Sequence, residues 1–184
     1  MLLEDIILQR KDRLISLGLD LSAILDSLNG RQVAPIERID ENIEYVVNHL
    51  GLDIKVFERF PSLFGLSVDD NLKPKVDYIT KELGLDIRVF ERLPALFSYS
   101  VDDNLKPKVD YITKELGLDI KVFERLPQLF GYSLKNRIIP RVEYLKQEGL
   151  SLNLAIKHIS LSDVVFCKKI EKSPTDYQKF KDEF

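Results

Sequence analysis

Apolar side chains return at Val68, Leu72, Val76, Ile79 and Leu83, at spacings of four, four, three and four. That is the stripe of one amphipathic helix with a single buried face. A shorter apolar pair, Ile54 and Phe57, precedes it, and Pro61 followed by Leu63-Phe64 stands between the two. Asp53 is placed to cap a short helix that runs to about Arg59. Pro61 stops that helix, and Leu63-Phe64 predict one 3₁₀ turn. Ser67 caps the longer helix, with Asp70 at the acidic position of a capping box. Gly51 lies where a helix C-terminus needs a left-handed residue, so it closes the helix before. Pro74 falls about two turns into the longer helix, where a missing N–H predicts a bend.

The same pattern recurs with a period of 33. Residues 50–82 and 83–115 agree at 28 of 33 positions. A third copy, 116–148, keeps the first half and diverges in the second. A degenerate copy occupies 17–49, and a partial fifth copy opens a C-terminal cap at 149–184. The whole of 1–184 therefore reads as a single all-α helical-repeat domain, a solenoid of short and long helices. Pro74, Pro107 and Pro140 recur in register, and a repeated bend would give such a stack a concave side.

Composition supports a folded chain, with 45% apolar and 31% charged residues. The net charge of −3 gives no general support to a polyanion partner, but it is uneven. Residues 1–49 hold five Lys/Arg against nine Asp/Glu, and residues 116–184 hold twelve against nine. The C-terminal third is the place to look for an anionic ligand. Cys167 is the lone cysteine, so no internal disulfide forms, which fits a reducing compartment. His49 and His158 lie far apart, no Cys/His metal spacing exists, and no cofactor is implied. No run approaches the roughly 18 apolar residues of a membrane span. The opening MLLEDIILQRKDR reads neither as a secretory signal nor as an organellar transit peptide. Gly-rich phosphate loops and nucleophile motifs are missing, so the chain reads as no enzyme, with no small-molecule substrate.

Four basic columns repeat with the period. Lys73 and Lys106 alternate with Asp at spacings of four, the pattern of an ordinary salt-bridged face. Lys75, Lys108 and Arg141 stay basic in all three strong copies. Pairing with Glu82, Glu115 and Glu148 is the plain alternative to binding there. Arg59, Arg92 and Arg125 stand at a helix C-terminus, where favourable contact with the last carbonyls is the alternative. Lys55, Arg88 and Lys121 lie one turn earlier, next to Glu58, Glu91 and Glu124. In the third copy Asp102 and Asn104 give way to Lys135 and Arg137. Arg125, Lys135, Arg137 and Arg141 are the first candidates for nucleic-acid contact, followed by Lys157, Lys168 and Lys169 of the cap. For the terminal lysines the alternative is a solubilising end. Stacked helices lie about 8–10 Å apart and phosphates of one strand about 3.4 Å apart, so one rung could meet about every third phosphate. The phenylalanines at 57, 64, 90, 97, 123 and 130 read as core.

Two features resemble the mitochondrial transcription termination factor (mTERF) family. One is Pro followed by an apolar pair, in Pro61-Ser62-Leu63-Phe64, Pro94-Ala95-Leu96-Phe97 and Pro127-Gln128-Leu129-Phe130. The other is a segment ending in a basic residue, Val, an acid, Tyr and Ile or Leu, then Gly-Leu. Its closest form is Tyr132–Leu150, YSLKNRIIPRVEYLKQEGL, and the terminal LSDVVFCKKI is similar too. The resemblance covers roughly 17–170. It implies a left-handed superhelix of two helices and a 3₁₀ turn per repeat, with a groove for duplex DNA or structured RNA. It also implies a monomer acting on transcription or RNA processing in mitochondria or chloroplasts; without it the cytoplasm is the default address. The rival reading is a protein-binding α-solenoid scaffold, from recent duplication or consensus-like design.

Overall fold

The computed structural model describes residues 3–28 and 36–184, so the joint of the degenerate copy at 29–35 lies outside the described residues. Contacts group into two compact units, Met1–Leu105 and Lys106–Phe184. Among the described residues every regular element is helical. In the first unit, α1 (Leu3–Gln9), α2 (Lys11–Ser16), α3 (Leu21–Leu28) and α4 (Ile36–Ile43) precede the strong copies. The short helices of those copies are α5 (Val56–Arg59) and α7 (Val89–Arg92), with α6 (Lys73–Asp77) inside the long helix of the first. The second unit holds α8 (Lys106–Asp110), α9 (Val122–Arg125), α10 (Ile139–Gln147), α11 (Asn153–Lys157), α12 (Asp163–Lys169) and α13 (Pro174–Glu183).

Each short helix begins later than its capping signal predicts. Asp53 accepts from the Lys55 N–H at 2.8 Å and so closes a turn ahead of α5 instead of capping it. Phe60 is extended (φ −144°, ψ 72°), as a residue before proline must be, and the 3₁₀ turn Pro61–Gly65 follows. Pro94–Ser98 and Pro127–Phe130 repeat it. The phenylalanine of the short helix stacks on that of the turn, with ring centroids 4.4 Å apart for Phe57–Phe64 and 4.2 Å for Phe90–Phe97 and Phe123–Phe130. All six rings are fully buried, and each pair adds about 0.5–1.5 kcal/mol beyond its area.

Ser67 caps the long helix as predicted. Its hydroxyl accepts from the Asp70 N–H at 3.2 Å and donates to the Asp70 carboxylate at 2.9 Å. The first turn, Val68–Leu72, is π-helical, with Leu72 N–H reaching the Ser67 carbonyl at 3.1 Å. This wide turn puts Pro74 at the start of the α-helical segment α6, where its missing N–H costs little. A second π turn, Tyr78–Glu82, leads to Gly84. At the end of the preceding helix, Gly51 adopts φ 67°, and the next N–H, Leu52, reaches back to Val46 O at 3.1 Å. Such a left-handed closure is what the glycine is for.

In the second unit the cap closes on a core of Val142, Tyr144, Leu145, Ala155, Phe166, Cys167, Ile170 and Tyr177. Burial raises the Cys167 thiol above its usual range, which makes it a packing residue and not a reactive one.

Candidate nucleic-acid interface

The four basic columns meet four different fates. Lys73 pairs with Asp69 at 2.5 Å, and Lys81–Asp77 and Lys114–Asp110 pair at 2.8 Å, as alternating charges on one face predict. Lys55, Arg88 and Lys121 are each tied to the glutamate three residues on, at 2.7, 3.4 and 2.7 Å. Lys55 also donates to the Gly18 carbonyl at 2.6 Å, so it serves a helix end of the preceding copy.

Lys75, Lys108 and Arg141 require a correction: they are buried, at 7%, 4% and 0% exposure, and do not form a surface for phosphates. Their hydrogen bonds go instead to backbone carbonyls and to the side chains of Asn71 and Asp163. Lys108 Nζ donates to the Phe130 carbonyl at the end of the 3₁₀ turn, 22 residues ahead. Arg141 Nη1 donates to the carbonyls of His158 (2.8 Å) and Ile159 (3.1 Å). Its Nη2 donates to the Leu161 carbonyl (2.7 Å) and the Asp163 carboxylate (2.8 Å). Lys75 Nζ donates to Asn71 Oδ1 at 3.0 Å. Asn42 stands 33 residues before Lys75 in the same register. Its Nδ2 donates to the carbonyls of Leu63, Phe64 and Leu66 at 2.8–3.0 Å. Apart from Lys75, the column is a set of donors that satisfy carbonyls at and after the next copy's turn. Burial pushes the Lys108 ammonium down to about 8 and lowers Lys75 as well.

Arg137 is also partly spent. Its guanidinium lies 4.8 Å from the Tyr132 ring centre and donates to the Ile159 carbonyl at 3.3 Å.

Arg59, Arg92 and Arg125 differ from all of these. They close α5, α7 and α9, they are exposed, and among the described residues no carboxylate pairs with them. A fourth rung is hidden in sequence because the third strong copy is one residue shorter than those before it. Aligning Gly117-Leu118 with Gly149-Leu150 puts Lys157 on Arg125, and Lys157 closes α11 as Arg125 closes α9. In the second unit both line one groove. Lys135, Lys168 and Lys169 are exposed as well, the last two in the final turn of α12. The local field is positive: burial first, then the charges of Lys157, Lys169 and Arg141, lower the His158 pKa below its ordinary value.

Sequence reasoning also missed the role of Glu58 and Glu91, which read there as dilution of a basic strip. Glu58 Oε1 accepts from the Asp20 N–H at 2.6 Å and Glu91 Oε1 from the Asp53 N–H at 3.0 Å. The 38-residue spacing common to both pairs was the available signal.

Among the described residues no group of three or more His, Cys, Asp or Glu side chains is placed to hold a metal ion. No helix there is long and apolar enough to cross a membrane. No curated protein matches the chain. The mTERF family model matches residues 53–107 and 87–171, which together span well over half of the chain. With its repeated unit of short helix, 3₁₀ turn and long helix, this chain belongs to the mTERF family, a family of nucleic-acid-binding, non-enzymatic helical-repeat proteins.

Proposed function

We propose that the chain holds duplex DNA or structured RNA by its sugar–phosphate backbone, without catalysis, through the rungs Arg59, Arg92, Arg125 and Lys157. Lys135, Lys168 and Lys169 add charge beside the last rungs, and Arg137 contributes the part of its guanidinium not spent on Ile159. Lys55, Arg88 and Lys121 assist once a phosphate displaces their glutamate partners. The family's usual setting extends the proposal to transcription or RNA processing in a mitochondrion or chloroplast.

The observation that carries this reading is that the four rungs share one position in the repeat and lack carboxylate partners among the described residues. The neighbouring columns are consumed by ion pairs or buried carbonyls. Unpaired cations at helix ends are the groups that release counterions when they meet phosphate. The side chains present give position more than base identity, so a modest sequence preference is expected.

The test is binding of a labelled duplex and a labelled structured RNA at about 50 mM salt. Changing Arg59, Arg92, Arg125 and Lys157 together to Gln should weaken binding by about tenfold or more. Changing Lys73 and Lys106 to Gln should leave it nearly unaltered. Equal losses in the two variants, or no binding by the wild type near micromolar concentration, would overturn the reading.

A further inference from the structure

Within the first unit, carboxylates close the joints between consecutive copies, Glu58 on the Asp20 N–H and Glu91 on the Asp53 N–H. The matching joint in the second unit lies between α9 and α11. The residue there that aligns with Glu124, and so with Glu58 and Glu91, is Ile156. No carboxylate comes across. Among the described residues nothing accepts from the Asp119 N–H, and the Asp119 side chain is turned to its own turn, accepting from Lys121 N–H at 2.7 Å. What remains is an open groove of about 330 Å³. Val122, Leu126 and Ile156 line it, together with Arg125 and Lys157.

We propose that this groove docks an acidic segment of a partner protein, whose glutamate takes the place that Glu58 and Glu91 fill within the chain. Arg125 and Lys157 outnumber the one acid of the lining, Asp119, and so match a ligand that carries a carboxylate. Val122 and Ile156 are themselves buried, so what selects the ligand is a carboxylate acceptor for the Asp119 N–H, as at the chain's own joints. The chain's own joints supply the pattern for this contact, since a carboxylate oxygen there lies within 3.0 Å of the equivalent N–H. Docking would occupy Arg125 and Lys157, so the partner competes with nucleic acid; this last clause rests on the function proposed above.

The experiment follows backbone amide signals of the full chain by NMR. The probes are a blocked peptide Leu-Glu-Glu-Leu-Glu-Leu, its twin with every Glu changed to Gln, and a short DNA duplex. The acidic peptide should shift Asp119 and Ile156 saturably, and the Gln twin should bind about tenfold more weakly or worse. The double variant Arg125→Gln, Lys157→Gln should lose the same shifts while its remaining spectrum stays folded. Equal binding of both peptides, shifts centred elsewhere, or shifts at Asp119 with the duplex but not with the acidic peptide would each overturn the docking proposal. Competition is read by adding duplex to the peptide complex: release of the peptide supports it, and a duplex that binds without releasing peptide refutes it. A chain that binds peptide but no duplex refutes the nucleic-acid reading and leaves the docking site standing.

Discussion

Asn42, Lys75, Lys108 and Arg141 show how far residue-level reading reaches. The sequence displays a column basic in three copies, and basicity suggests a phosphate ladder. Asn42, in the same register, is neutral, and it reveals that the position needs a donor, not a charge. Burial was hidden because the column shares its helix with polar neighbours, and the carbonyls it serves lie about 22 residues ahead. The distinction is measurable. Arg141→Leu removes the buried guanidinium's four hydrogen bonds, to the carbonyls of His158, Ile159 and Leu161 and to the Asp163 carboxylate, so it should cost about 3 kcal/mol in denaturant unfolding. At a temperature where the variant is folded, its affinity for duplex should stay within about twofold of wild type. Lys108 adds a pH signature. Its folded pKa of about 8 lies below the unfolded value near 10.5, so between these the unfolded chain binds more protons. Stability from this group is therefore flat below pH 8 and rises as pH climbs toward 10. Wild type should gain about 2 kcal/mol on Lys108→Met between pH 7 and 10. A gap that does not change with pH would show that Lys108 titrates normally.

At the scale of elements, the sequence specifies most of what forms, because its signals there are local. The proline stops, the 3₁₀ turns, the serine caps and the closing glycines all follow from residues within a few positions of the event. The apolar stripe from Val68 to Leu83 predicts the buried face, and the phenylalanine pairs stack within it. Pro74 was harder. A proline two turns into an α-helix demands a bend only if the turn before it is α-helical, and periodicity cannot separate a π turn from an α turn over five residues. Glu58 and Glu91 were missed for the opposite reason, since their partners belong to the copy before. Gly117 offers a clean element-level test. A methyl placed on it would meet nothing within 4 Å, yet its φ is 64°. Gly117→Ala should therefore destabilise by about 1–2 kcal/mol through backbone strain alone, and Gly117→Asn by less. An alanine variant as stable as wild type would mean that the helix closes there without the left-handed residue.

For the molecule as a whole, composition and local placement pull in opposite directions. A net charge of −3 opposes approach to a polyanion, while the rungs and the exposed lysines of the cap favour it. Salt separates the two. Net-charge repulsion between distant groups fades once the screening length falls to about 10 Å, near 0.1 M. Counterion release persists beyond that, with a slope of about −0.9 per neutralised phosphate on duplex DNA. Four rungs then predict that log K falls with log salt at a slope of about −3.6 above 0.1 M. The curve should flatten below that concentration, where the acidic remainder still repels. Lys157→Gln should reduce the slope by about 0.9 and Lys73→Gln should leave it unchanged. A slope near zero would mean that affinity, if present, comes from surfaces other than the rungs. A slope of about −6.3 that persists when Lys135, Arg137, Lys168 and Lys169 are changed to Gln would mean that Lys55, Arg88 and Lys121 leave their glutamates on binding. In that case Glu58→Gln, which frees Lys55 but keeps an oxygen for the Asp20 N–H, should strengthen binding while Glu58→Ala weakens it by loosening the joint.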